Sequence, residues 1–565
     1  MILENALKIE LGSSFFMNAG ICGLLTFLEC NHAFEGLDYE IEDQCIYVSI
    51  DYLKNNDISK MYVNTIANEL GKNTKFYRIL HDDKLFIDNL YRNDIENLSK
   101  DTLKKLKDKY KAFCDMMLKK TYLSAYTLMK GIDNIEPIDR QMIVDLKKCD
   151  DLLQKYDKYN KIINLLQQPT VNNMLIYTEL IYTQLKLFFA ENAQSKQITC
   201  LYKTGQNYWD THKDNFITPL FNELEVEDKK KTVCCIECRN MISSKGKRAF
   251  TFLADTADDL TRKKSYYWFC HPDAYVCPTC AFVFSFIPLG FALMGSEAVF
   301  INNNSSVRAL KKVMNTCKVK INNEKSIRRQ ILRTLTTEKI DALDNLMSNI
   351  QVVMNSSDFS HFKFEVIDKN MVMKLQKGKN YLSYLENKWF SSDKKNFVSV
   401  YDLTLDYIYE KRNLYFLLDK LLKYELREDG KFNYLKGLLR LAVIFNGGAN
   451  MDELNKKVDF AFWAGMDLRE KILGKDLNNA GNEGDNKLRS FVYRLVNLSA
   501  VGDREQFMDT VLRIYSGFSL SMPSIFKDCY ISDEMFKAIA HGFIIGLKYV
   551  PHKKENENKE DINNG

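Results

Sequence analysis

At 565 residues and 65.9 kDa the chain is too long for one small domain and is expected to hold three or four structural units. Apolar residues at 46% and charged residues at 27% exclude wholesale disorder, while only 8 Pro and 24 Gly argue against a turn-rich all-β architecture. The net charge of +5 is too small for a globally basic nucleic-acid coat.

The opening segment, Met1–Ser14, has Glu4 and Glu10 where a secretory signal would need basic residues and an apolar run, which predicts a cytoplasmic protein. Gly12–Cys30 (GSSFFMNAGICGLLTFLEC) reads as a glycine-punctuated loop feeding an apolar helix, and Cys45–Ile50 (CIYVSI) as a strand. Between 95 and 193, apolar positions recur at three and four, predicting helices such as Pro137–Leu166 and Val171–Ala190. A charged turn, Glu223–Lys231, opens a cysteine-rich insert that ends near Gly295. The longest apolar run, Ala281–Gly295, is broken by Pro288 and Gly290 and falls short of the roughly 20 residues needed to span a bilayer, so it is expected in a buried core and not in a membrane. A basic stretch follows, with ten Lys/Arg against two Asp/Glu in 307–339, whereas 401–550 carry 21 of each. A short strand is expected at His361–Val366. From Val398 to Val550 helices follow one another, separated at Gly447–Gly448, Asn478–Asn486, Gly502 and Pro523.

These readings give an α+β fold, predominantly helical. The expected domains are a mixed α/β N-terminal domain (1–225), a zinc-binding insert (226–300), a basic continuation of the N-terminal domain (301–397), a C-terminal helical bundle (398–550) and a disordered polar tail (551–565).

The strongest chemical signal is Cys235-Ile-Glu-Cys238 with Cys277-Pro-Thr-Cys280. Two residues between thiols let both sulfurs of a pair meet one ion from a tight turn, and two such knuckles complete a tetrahedron around Zn²⁺. Four thiolates leave no open coordination position, so the expected zinc is structural. Cys234, Cys270 and His271 lie close enough in sequence to be substitute ligands. The remaining cysteines are scattered, as expected of free, mostly buried thiols in a reducing compartment.

Within the insert, Lys245, Lys247 and Arg248 form one basic loop, and Arg262, Lys263 and Lys264 another. Further on, Lys325, Arg328, Arg329 and Arg333 lie on a predicted helix, with Arg329 and Arg333 sharing one face and Ile327 and Ile331 another. All ten are candidate contacts to phosphates or base edges, with a solvated surface as the competing reading. Lys487 and Arg494 are weaker candidates. No P-loop, dinucleotide fingerprint, HExxH, GxSxG or deaminase signature is present. His81-Asp82 offers the core pair of a metal-dependent phosphohydrolase, with no companion motif in view. A non-enzyme is expected.

The long-spaced CxxC…CxxC insert, its trailing FVFSFIPLGFALMG, the early FFMNAGICGLL and the closing helical block together resemble the large subunit of the type I-B CRISPR Cascade complex, in its CXXC–CXXC variety. The resemblance implies a non-catalytic subunit that binds the 5′ region of the guide RNA and double-stranded target DNA. It also implies recognition of the protospacer-adjacent motif and contact with the Cascade backbone, other subunits and the helicase-nuclease. It carries the cysteine motif onto Cys235, Cys238, Cys277 and Cys280. The C-terminal block resembles the small subunit of such systems, and Met451 and Met466 are candidate internal starts. A stand-alone zinc-ribbon regulator of nucleic acid is the alternative.

Overall fold

The computed structural model describes residues 5–12, 14–92, 99–129, 139–192, 197–254, 274–294, 297–320, 327–337, 350–356, 362–393, 396–428, 433–447, 451–473 and 483–549. The fold is α+β and mostly helical, with several small antiparallel sheets. Two compact units make up the chain. One comprises Met1–Ile327 with Ile340–Ile367, the other Arg328–Lys339 with Asp368–Gly565. The continuous part of the second unit begins at Asp368. The helix around Arg329 joins the C-terminal unit, and the cysteine insert belongs to the N-terminal one.

The N-terminal unit is organised around the Phe15–Cys30 helix, whose residues from Phe15 to Leu28 are all buried. A helix apolar on every side must be packed on every side. The Ser14 side chain caps it by accepting from the N–H groups of Phe16 and Met17. Its glycines lie inside the helix, beyond the expected entry loop, because another backbone passes there. A Cβ built on Gly23 would stand 1.9 Å from the Phe286 carbonyl oxygen, and one on Gly290 2.0 Å from that of Ala19. The partner is the pair of short helices Pro278–Ser285 and Ile287–Gly290, buried from Cys280 on as the apolar run predicts. Asn18, fully buried in this seam, bonds both backbone groups of Gly12 and donates to Asn302 Oδ1 at 2.9 Å.

Two sheets flank the seam. Strands β1 (Ala6–Glu10), β2 (Tyr39–Ile41) and β3 (Cys45–Ser49) are ordered β1-β3-β2, and Leu7, Ile9, Ile46 and Val48 face the core. Four later strands form a second sheet. Strands β4 (Lys231–Cys234), β5 (Met241–Ser243), β6 (Arg248–Ala249) and β7 (Tyr275–Val276) belong to the insert. Beyond it, β8 (Ala292–Met294), β9 (Glu297–Asn302), β10 (Ile350–Ser356) and β11 (Lys363–Ile367) pair in the order β11-β10-β9-β8. The expected strand near 361–366 is β11.

The helices of 95–193 are shorter than their periodicity suggests. Arg140–Lys148 and Leu152–Leu166 replace one long helix, because Asp151 caps a new start by accepting from Gln154 N at 2.8 Å. Pro169–Tyr182 stops at Thr183, before a single tight turn at Leu185–Leu187. Part of the basic stretch also points inward. From the Val307–Lys320 helix, Lys311 Nζ and Lys318 Nζ reach Thr26 Oγ1 at 2.8 and 3.4 Å, and Lys311 pairs with Glu29 at 2.9 Å.

In the C-terminal unit the Met451–Leu473 and Asp533–Lys548 helices pack along each other, with Leu435–Asn446 against both. Helices upstream of Met451 are integral to this core. His541, fully buried, places Nε2 2.7 Å from Asp419 Oδ1 on the Leu414–Arg427 helix. No helix among the described residues is long and apolar enough to cross a membrane. The tail after 550 lies outside the described residues.

Candidate metal centre

β4 and β5 form a hairpin, and the turn between them is the first cysteine knuckle. Cys235 N donates to Asn240 O at 2.9 Å and Arg239 N to Cys235 O at 3.1 Å, while Arg239 sits at φ 64 in the left-handed region. That conformation is costly for a non-glycine residue and is held here by the hairpin on both sides. The second knuckle follows β7, which pairs with β6. Cys277 is the N-cap of the Pro278–Ser285 helix, with Pro278 at its first position, where no N–H is needed. Cys280 lies in the first turn, so both sulfurs stand at the positive end of a helix. Ile236 N donates to Tyr275 O at 2.9 Å and joins the two knuckles.

The four sulfurs converge. Cys235 Sγ lies 3.8 Å from Cys280 Sγ, Cys238 Sγ lies 3.6 Å from Cys277 Sγ, and all four are within 4.8 Å of one another. A tetrahedral ion with metal–sulfur bonds of about 2.3 Å requires sulfurs about 3.8 Å apart, so the arrangement fits one ion. The second shell suits thiolates. Cys277 N donates to Cys235 Sγ and Cys280 N to Cys277 Sγ, each at 3.3 Å. Hydrogen bonds from Cys238, Cys277 and Cys280 hold the Cys235 thiol far below its ordinary range. Cys277 and Cys280 are pushed up, each chiefly through its hydrogen bond with Cys235. Such a set is a poor collection of free thiols and a good cage for a cation.

Cys234 is exposed, with its sulfur against the Arg239 carbonyl at 3.5 Å, outside the cluster. Cys270 and His271 lie outside the described residues. His81 stacks on Tyr77 at 4.1 Å, and among the described residues only the four cysteines gather as a metal-holding group.

The candidate nucleic-acid contacts separate. Lys245 and Lys247 are exposed on the β5–β6 loop, Lys247 with its Nζ 4.9 Å over the Tyr275 ring. Arg248 is not a surface cation. Its guanidinium donates to Asn215 O at 2.7 Å and lies over the rings of Phe216 and Phe252, at 4.5 and 4.0 Å. A planar, weakly hydrated guanidinium is suited to that half-buried slot. Arg329 and Arg333 do not present an open phosphate-binding face either. Arg329 is bidentate to Asp406, at 3.1 and 2.8 Å, and also reaches Asp402, while Arg333 pairs with Asp402 at 3.2 Å and covers Tyr401. Arg262, Lys263, Lys264 and Lys325 lie outside the described residues, as do the side chains of Arg328 and Lys487; Arg494 is exposed.

Two carboxylates that spacing does not reveal also shape the site. Glu223 accepts from Ser243 N at 2.8 Å and Ser243 Oγ at 2.6 Å, and Ser243 Oγ accepts from Gly246 N at 2.9 Å, pinning the base of the lysine loop. Glu237, between the first two cysteines, is pushed toward the neutral form by burial, with its carboxyl close to Gly12. The charged turn at 223–231 was the only hint of the first; nothing local marks the second.

Residues 227–292 match the family model described as CRISPR-associated protein (Cas_CXXC_CXXC), a span that holds both cysteine pairs and the helices behind them. The chain thus carries a CRISPR-associated CXXC–CXXC domain. No curated protein and no solved structure matches it.

Proposed function

We propose that the chain is the non-catalytic large subunit of a type I-B CRISPR RNA-guided surveillance complex, and that its four cysteines hold structural Zn²⁺. In this reading it binds the 5′ region of the guide RNA and double-stranded target DNA, recognises the protospacer-adjacent motif, and helps recruit the helicase-nuclease. The observation that supports this most is the coincidence of the CRISPR-associated match with a closed four-sulfur cage. Zinc there supplies rigidity and has no position left for water or substrate.

The chain's own part is to hold cations still. Glu223 and the cysteine knuckle fix both ends of β5, so Lys245 and Lys247 project from a loop whose ordering is complete before any partner arrives. Such lysines meet phosphates or base edges without much further loss of entropy. Arg262, Lys263 and Lys264 of the same insert, with Lys325 and Arg328, join them in the proposal. Sequence is then read by pairing with the guide, and the protein adds motif reading and backbone contacts.

Purification of the chain from cells that express its neighbouring genes tests the proposal. Guide RNA and partner subunits should co-purify with near one zinc per chain, and Lys245→Ala with Lys247→Ala should erase preference for one flanking motif while general DNA binding persists. A native preparation that carries neither RNA nor partners would overturn it. DNA binding alone would instead favour a stand-alone zinc-ribbon regulator.

A further inference from the structure

The C-terminal unit holds a cleft of about 520 Å³ that neither the metal centre nor the lysine loop uses. It opens where the Lys369–Ser383 helix ends and the Leu435–Asn446 helix begins. Its lining is tyrosine and cation: Tyr381, Tyr384, Tyr434 and Tyr549 with Lys388 and Lys436, and no carboxylate among the described lining residues. The two helix ends meet at Gly437, where a Cβ would make ordinary contact, 3.5 Å from Tyr381 O and 3.7 Å from Tyr384 Cβ.

These side chains are not equally free to bind. Tyr434 is committed to Glu425, at 2.5 Å, and Arg440 is engaged by Asn455 and Asp459. Tyr384 is 66% exposed, a flat apolar face held in water. Lys436 is half-buried and lies 3.9 Å over the Phe462 ring, with Asp459 no closer than 3.9 Å, and burial lowers its pKa. A cation in that setting gains from a nearby anion. The Leu435–Asn446 helix starts here with no acidic residue in its first turn and no side-chain cap, which adds to the positive potential. Exposed Phe460 and Trp463, three apart on the Met451–Leu473 helix, extend the aromatic surface past Lys436, whose Nζ is 5.8 Å from the Trp463 ring.

We propose that this cleft binds a nucleotide unit, with a heteroaromatic ring against Tyr384 and a phosphate between Lys388 and Lys436. A flat ring stacks on an exposed tyrosine whatever its base identity, and the lysines supply the charge a phosphate needs. The unit is either a free nucleoside monophosphate or one unpaired residue of a strand; the chemistry at the cleft is the same. The inference does not rest on the role proposed above, because the cleft lies in a different unit of the chain.

The test uses the purified, metal-loaded full chain with three probes. These are AMP by calorimetry, a fluorescein-labelled unpaired ten-nucleotide DNA by anisotropy, and inorganic phosphate as competitor. Tyr384→Ala should weaken binding about 5- to 150-fold, the worth of one stacked base, while Tyr384→Phe retains it. Lys388→Gln with Lys436→Gln should lower the salt slope for the oligonucleotide by roughly 0.7 to 1.4. An effect on AMP assigns the site to a free nucleotide, and an effect on the oligonucleotide alone assigns it to a strand. If Tyr384→Ala leaves both affinities within twofold, or if phosphate competes as well as AMP, the proposal is overturned. Because Tyr384 is exposed, unchanged circular dichroism should accompany every variant, and absence of guide RNA in native preparations would leave this result unaffected.

Discussion

Replacing Gly23 with alanine tests the seam on which the N-terminal unit is built. The new Cβ would stand 1.9 Å from Phe286 O, 2.8 Å from Phe286 C and 3.0 Å from Gly290 N. All three are backbone atoms, so no side-chain rotation relieves the overlap. Ordinary contact begins near 3.4 Å, and the helices would have to part by about 1.5 Å. A gap of 0.5–1 Å already forfeits a quarter to a half of each dispersion contact, so a shift of that size removes most of them along the seam. Phe27, now 5.0 Å from Phe286 between ring centroids, and Ala19 against Gly290 are the first to suffer. The expected loss is about 3 kcal/mol, the upper end for overpacking. Two units make a single global transition a poor readout, so hydrogen exchange of peptides covering 15–30 and 278–290 is the appropriate assay. Gly517→Ala is the control, at a helix end with open space around it, and should change stability by less than about 0.5 kcal/mol. Protection in Gly23→Ala equal to that of the parent chain would refute the close approach.

Arg329→Ala should destabilise the C-terminal unit by about 1.5–3 kcal/mol, because Asp402 and Asp406 lose a shared partner, while the salt slope of nucleic-acid binding stays unchanged. A fall of roughly 0.7–0.9 in that slope would instead return the residue to a phosphate. His212, fully buried on Tyr62 and bonded to Ser59, has its pKa pulled down from 6.5 to about 3 by burial, with Arg248 adding to the effect. The unfolded chain takes up a proton near pH 6.5 that the folded chain refuses, so this site costs nothing above pH 6.5 and destabilises the fold by about 1.4 kcal/mol per unit on acidification from there toward pH 3. His212→Gln should flatten urea-unfolding stability between pH 6.5 and 4.5, and an unaltered slope would place the acid sensitivity elsewhere. Cys277→Ser should reduce bound metal, by elemental analysis, below half that of the parent chain; full retention would show that the remaining three sulfurs suffice.

The cysteine cage was legible in the sequence because its geometry is local. Two residues between thiols fix each knuckle, and only the meeting of the knuckles needs the fold. Basic residues lack that property. Arg248, Arg329 and Arg333 look alike in sequence, yet their partners lie 33, 77 and 69 positions away, and those partners decide whether a cation faces water. Lys245 and Lys247 stay exposed, Lys247 lying over the Tyr275 ring without a buried partner among the described residues. Gly20 and Gly23 were visible and their reason was not, since it lies in a backbone some 260 residues downstream. Similarly, the boundary at 367/368 is invisible to composition, because the residues on both sides of it are ordinary helix and strand formers.

Why a metal would suit this place follows from the lengths of the strands. β4 to β7 have four, three, two and two residues, and two-stranded sheets so small are not stable alone in water. Among the described residues from Lys231 to Val276, the buried apolar side chains besides the cysteines are Ile242, Leu253, Ala274 and Val276. The Pro278–Ser285 helix needs no such help, since it is packed against the Phe15–Cys30 helix along its length. An ion held by the four sulfurs would therefore fasten a weak ribbon, at Cys277 and Cys280, to the N-terminus of a strongly held helix. With an ion bound, rigidity would pass outward from the helix seam to the knuckle at Cys235. From there it would reach β5 and the lysine loop, with Glu223 closing the other side of β5. In that order of support an ion would stand in for the hydrophobic core that strands so short build poorly.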